Sequence, residues 1–173
     1  NDPVLPVDPY PVSPLSSLNG DMARAWAATT LFAVRYSYFN TPTYTSRSLG
    51  YMGLAMYESI VNGDSTYVSM SNQLNGLVLP LPEAGMKYQW VISFNAAQET
   101  MLKYLYLRPG NANDIVYDTI TATAERILHQ NSSDLTVDII NRSIQYGKDI
   151  AEAIYTWSQM DGGELAYTRN FDP

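Results

Sequence analysis

Arg47-Ser-Leu-Gly-Tyr-Met-Gly-Leu-Ala-Met-Tyr-Glu-Ser-Ile-Val-Asn62 is the run on which the fold reading turns. Leu49, Met52, Gly53, Met56 and Ile60 recur at i, i+3, i+4, i+7 and i+11, the period of one face of an α-helix. Gly50 and Gly53 lie inside that run, and each costs roughly 1 kcal/mol against alanine in a helix interior. A neighbouring helix packed too closely for a side chain would offset the cost. The run is therefore expected to form a central, buried helix.

Working outward, Thr43 is the expected cap of this helix, after the break at Pro42, and Asn62-Gly63 the left-handed stop. Upstream, a first helix is expected from Asn19 to Asp21 as far as about Phe39. Trp26, Thr29 or Thr30, Ala33 and Tyr36 or Ser37 lie on one side of it, with Leu31, Val34 and Tyr38 on another, so it too should be buried between neighbours. Residues 1–18 hold five of the ten prolines, which remove backbone donors too often for a helix, and read as an extended arm.

Downstream, Gly63 to Pro82 is irregular, a loop of a length that usually signals function or packing against something else. Helices are then expected from about Glu83 to Leu107, with Val91, Phe94, Gln98, Met101, Leu102 and Leu105 inward, and from Asn113-Asp114 to about His129, with Val116, Ile120, Ala124 and Ile127 inward. The last, capped by Ser132 or Ser133, turns Ile139, Ser143, Gly147, Ile150, Ile154 and Trp157 inward and stops at Asp161-Gly-Gly163. The expected architecture is all-α: a single bundle of about five main helices over residues 19–163, with residues 164–173 opening a linker.

Composition narrows the function classes. The chain of 173 residues carries a net charge of −7 and no Lys/Arg cluster, which argues against a nucleic-acid backbone or an anionic membrane as partner. Charged residues are 16%, below the usual value of about 25%, while fourteen tyrosines and three tryptophans fill part of the gap. Part of the surface is therefore expected to meet a partner. No apolar run is long enough for a transmembrane helix. The absence of cysteine excludes disulfides and thiolate metal sites.

The Arg47 run, with Tyr67 after it, resembles the N-terminal helical region of bacterial vanadium-dependent haloperoxidases of the type 2 phosphatidic acid phosphatase superfamily. There the helix often runs Arg-Ala-Leu-x-x-x-x-x-Ala-Met-Tyr-Asp-Ala-x-Asn; here Glu58-Ser59 stands for Asp-Ala. Phe94-Asn-Ala-Ala97 with Leu102, and the tail from Gly162 to Asn170, extend the likeness. The resemblance implies a non-catalytic domain that packs on a C-terminal catalytic domain of the same protein and shapes access to its vanadate or phosphate site. The Pro-rich arm could wrap the domain or tether an extracytoplasmic protein, periplasmic or lipid-anchored at the outer-membrane surface, and a homo-oligomer is left open.

Oxyanion chemistry in that family needs several fixed cations, Pro-Ser-Gly-His and two histidines. Lys103 and Arg108-Pro109 look like its first piece, but their five-residue step sets the two cations about 140° apart on a helix, where the family's seven-residue step keeps them on one face. They read instead as cations at a helix C-terminus. His129 is the only histidine and reads as a helix-end residue, and no Ser-Gly-His occurs. Glu58, Glu99, Glu125 and Glu152, one per helix, lack the histidines of a four-carboxylate metal site and read as solvated faces. Arg47 is expected to hold a carboxylate within the fold or at an interface, and Arg24 to lie on the surface. No catalytic, cofactor-binding or metal residue is assigned to this chain. The competing reading is an extracytoplasmic lipoprotein that binds glycans on exposed Tyr and Trp, with Trp26, Trp90 and Trp157 as candidates, or a helical interaction scaffold.

Overall fold

The computed structural model describes residues 20–38, 40–107 and 114–168. The Pro-rich arm, Phe39, Arg108 and the end of the expected linker lie outside them. Within them the protein is all-α. Five α-helices run in order: α1 (Asp21–Tyr36), α2 (Pro42–Glu58), α3 (Trp90–Tyr106), α4 (Asp114–Asn131) and α5 (Val137–Met160). Single 3-10 turns at Val61–Gly63 and Ala166–Thr168 follow α2 and α5.

The centre is α3, not the Arg47 helix. Thirteen of the seventeen α3 residues are buried, on every side of the helix, which is the pattern of a core element rather than an amphipathic one. Helices α1, α2, α4 and α5 all pack around it. Its buried amides tie them together. Asn95 Oδ1 accepts from the indole of Trp26 on α1 at 3.0 Å, and its Nδ2 donates to Ala124 O on α4 at 2.9 Å. Gln98 Nε2 donates to Met52 O on α2 at 3.1 Å. Each amide would be costly to bury unpaired, so these bonds fix which helix sits beside which.

The tightest crossing is between α3 and α5. A Cβ on Gly147 would overlap the carbonyl of Ser93 and lie 3.0 Å from Ala96 Cβ, so only glycine lets the two backbones approach this far. The role expected of Gly50 and Gly53 belongs to Gly147. Both α2 glycines are exposed, with nothing within 4 Å of a Cβ built on either. The buried face of α2 is Tyr44, Ser48, Tyr51, Met52, Ala55 and Glu58, and Leu49 is turned outward. Of the large apolar residues read inward, Met52 is buried and Met56 and Ile60 are half-buried, while the rest of the buried face is mostly small or aromatic.

Other boundaries move for local reasons. Thr41, rather than Thr43, caps α2 by accepting from the Tyr44 amide, with Pro42 at the first helical position. Gly63 is not a left-handed stop; a Cβ there would land 2.5 Å from Cδ1 of the Trp90 indole. Helix α3 starts at Trp90 instead of Glu83, because Gly85 takes φ +76° and breaks the path. Thr136 precedes α5, several residues after the expected Ser132 or Ser133. Of the second face expected for α1, Val34 packs half-buried against the core, while Leu31 and Tyr38, the latter beyond the end of the helix, are exposed. The inward sets predicted for α3 and α4 are buried as expected, and α5 buries most of its set. Its stop at Asp161-Gly-Gly163 holds, with Gly162 at φ +72°. Residues 164–168 stay on the body, where Glu164 and Ala166 are buried and the Tyr167 ring meets Tyr44 edge-on.

Candidate functional site

The residues that carried the family resemblance are occupied with architecture. Glu58 is 1% exposed at the end of α2, and its carboxylate accepts from Ser69 Oγ and from the Met70 amide, both at 2.7 Å. Tyr57 Oη donates to Val68 O at 2.8 Å, and Asn62 Nδ2 donates to Tyr146 Oη on α5 at 2.9 Å. Arg47 meets Asp161 at 3.3 Å, a carboxylate within the fold as expected for it.

The Glu58 and Tyr57 bonds hold the loop of residues 64–89, which is longer than the expected 63–82 and has no α-helix or strand of its own. Besides Glu58 and Tyr57, Trp157 on α5 holds it by donating Nε1–H to Asn75 O at 2.9 Å. Ser143 on α5 holds it by accepting from the Gln89 amide at 2.8 Å. Leu77, Leu79 and Tyr88 anchor it in the core, and Tyr88 stacks on Trp90 with ring centroids 5.3 Å apart. Between the anchors the loop turns apolar side chains out: Tyr67 is 58% exposed, Val68 70%, Val78 72% and Leu81 74%. Val78 is exposed between the buried Leu77 and Leu79, the alternation that an extended segment with one buried side produces.

A groove of about 400 Å³ opens beside this loop, between α2 and the end of α5. Leu54, Leu74 and Trp157 line its apolar part; Arg47, Tyr51 and Asp161 line its polar edge, and Gly50 leaves it open. Tyr51 Oη donates to Asp161 at 2.7 Å and 2.9 Å to the two oxygens, and the Gly163 amide donates to Oδ1 at 2.7 Å. The Tyr51 phenol is pushed up to about 12, first by burial and then by this bond to the Asp161 carboxylate. Its contact with Tyr51 also raises the Arg47 guanidinium above its ordinary value. Sequence reading had singled out Arg47 and Trp157; it missed Asp161 and Tyr51, which come together only through the packing of α2 on α5.

The remaining candidates are dispersed. Lys103 sits in the last turn of α3, bound to Glu99 at 2.6 Å, and its expected companion Arg108 is outside the described residues. His129 is exposed in the last turn of α4. Glu125 and Glu152 are exposed, whereas Glu58 is buried, which corrects its assignment to a solvated face. Among the described residues no three His, Asp or Glu side chains gather into a group that could hold a metal ion. No described helix is long and apolar enough to cross a membrane. Arg24 is exposed and pairs with Asp21 one turn away.

No family model, curated protein or solved structure matches this chain.

Proposed function

We propose that this chain is the non-catalytic N-terminal helical domain of a vanadium-haloperoxidase-like or acid-phosphatase-like protein. Its loop of residues 64–89 docks on a C-terminal catalytic domain and shapes access to the vanadate or phosphate held there. The observation that carries this reading is the loop itself. It is tied to the body at Glu58, Tyr57, Trp157 and Ser143, yet presents Tyr67, Val68, Val78 and Leu81 outward. A loop without helix or strand is held in place here at the expense of several buried side chains. The surface it displays is more apolar than one meant to face water alone.

Arg47, Tyr57, Glu58 and Asn62 support the same division of labour, since each is bonded within the fold rather than gathered into an oxyanion cradle. The glycan-binding reading loses two of its three platforms, because Trp26 and Trp90 are 0% and 1% exposed. The test is to follow the reading frame past Pro173 and purify the whole encoded protein beside the chain alone. Orthovanadate is expected to raise the melting temperature of the whole protein and to support bromide oxidation by peroxide, or else phosphate to compete with phosphomonoester hydrolysis. The chain alone should show neither. A vanadate-induced shift in the chain alone, or an encoded protein with no response to either anion, would refute the proposal.

A further inference from the structure

We infer that the groove between α2 and the end of α5 is a binding site for a small amphiphilic carboxylate, a molecule with a flat apolar body and one terminal carboxylate. Its volume of about 400 Å³ lies in the range of small-molecule sites and suits one or two rings. Leu54, Leu74 and the Trp157 indole supply an apolar lining. Trp157 is fixed before any ligand arrives: Nε1–H is bonded to Asn75 O at 2.9 Å, and the ring meets Tyr51 edge-on at 6.1 Å. A preset aromatic face binds a flat partner with little loss of side-chain freedom.

The polar edge selects the headgroup. Asp161 already accepts from Tyr51, Arg47 and the Gly163 amide, so its oxygens have little capacity left for a ligand's hydroxyls. The half-exposed Arg47 differs, because a guanidinium offers five N–H donors and Asp161 and Tyr51 do not exhaust them. Spare donors beside a carboxylate that already holds three donors favour an anion over a neutral polyol. Among anions, the planar fork of arginine matches a carboxylate in a bidentate way. The groove is lined by residues of this chain alone, Leu74 of the loop among them.

Phenylbutyrate is the probe, with benzyl alcohol and methyl glucoside as neutral comparisons, titrated into the 173-residue chain. The readout is the indole N–H resonance of Trp157, assigned by its loss in Trp157→Phe. Saturable binding of phenylbutyrate with a Kd in the millimolar range or tighter is expected, weakened about tenfold by Arg47→Met. Gly50→Leu gives a variant that keeps its fold. A Cβ there meets nothing within 4 Å, and a helical side chain leans toward the preceding turn, over Arg47. This variant should melt higher and yet fail to bind. No saturation, equal response to benzyl alcohol, preference for methyl glucoside, or unchanged binding in Gly50→Leu would each overturn the inference.

Discussion

Glu58 shows what a single residue does here. Its buried carboxylate forms no ion pair among the described residues and is held by a hydroxyl and a backbone amide of the loop. Removing it leaves the Met70 amide without its acceptor, so Glu58→Ala should cost about 2–3 kcal/mol in denaturant unfolding. Amide exchange at Met70 and Ser71 should accelerate at the same time. Two buried phenols contribute to alkaline stability. Burial, with Tyr44 nearby, pushes Tyr106 up to about 12, and Tyr51 reaches about 12 through burial and Asp161. Both hold their protons more tightly when folded, so their contribution is full below pH 10, where the unfolded phenols are still protonated, and is lost as pH rises toward 12. Melting should therefore fall steeply between pH 10 and 12. Tyr106→Phe should remove a part on the order of 2 kcal/mol at the upper end. Neither Glu58 nor Tyr51 was legible as structural from the sequence: their partners lie 12 and 110 residues away, and polar residues on a helix are assigned to solvent by default.

At the level of the helix, the contrast between glycines separates two readings of α2. If Gly50 and Gly53 packed against a neighbour, alanine there would clash. In this fold both face open space, so Gly50→Ala and Gly53→Ala should each raise stability by roughly 0.5–1 kcal/mol through helix propensity. Gly147→Ala should do the reverse, costing about 2 kcal/mol or more, because its Cβ meets the Ser93 carbonyl of α3. Thermal melts of the three variants check the point directly. Helices α3, α4 and α5 were legible because their apolar residues recur with helical period, and α4 buries the four residues read from it: Val116, Ile120, Ala124 and Ile127. The phase of α2 was legible only at Met52, since the rest of its buried face is Tyr44, Ser48, Tyr51, Ala55 and Glu58, none of them a large aliphatic side chain.

For the whole molecule, the arrangement is a helical body with α3 at its centre and one long loop pinned to its surface. The helix count could be read from period and punctuation. The loop could be read only as long, because its order comes from α2 and α5 residues distant in sequence, such as Trp157 on Asn75. Its exposed apolar side chains are the main support for the proposal that this domain works against another. The direct measurement is hydrogen–deuterium exchange of residues 64–89, in the 173-residue chain and in the whole protein its reading frame encodes. Docking predicts that amides around Tyr67–Val68 and from Val78 to Met86 slow by about tenfold or more in the whole protein, while those of α3 change little. Equal exchange of the loop in the two proteins would contradict it.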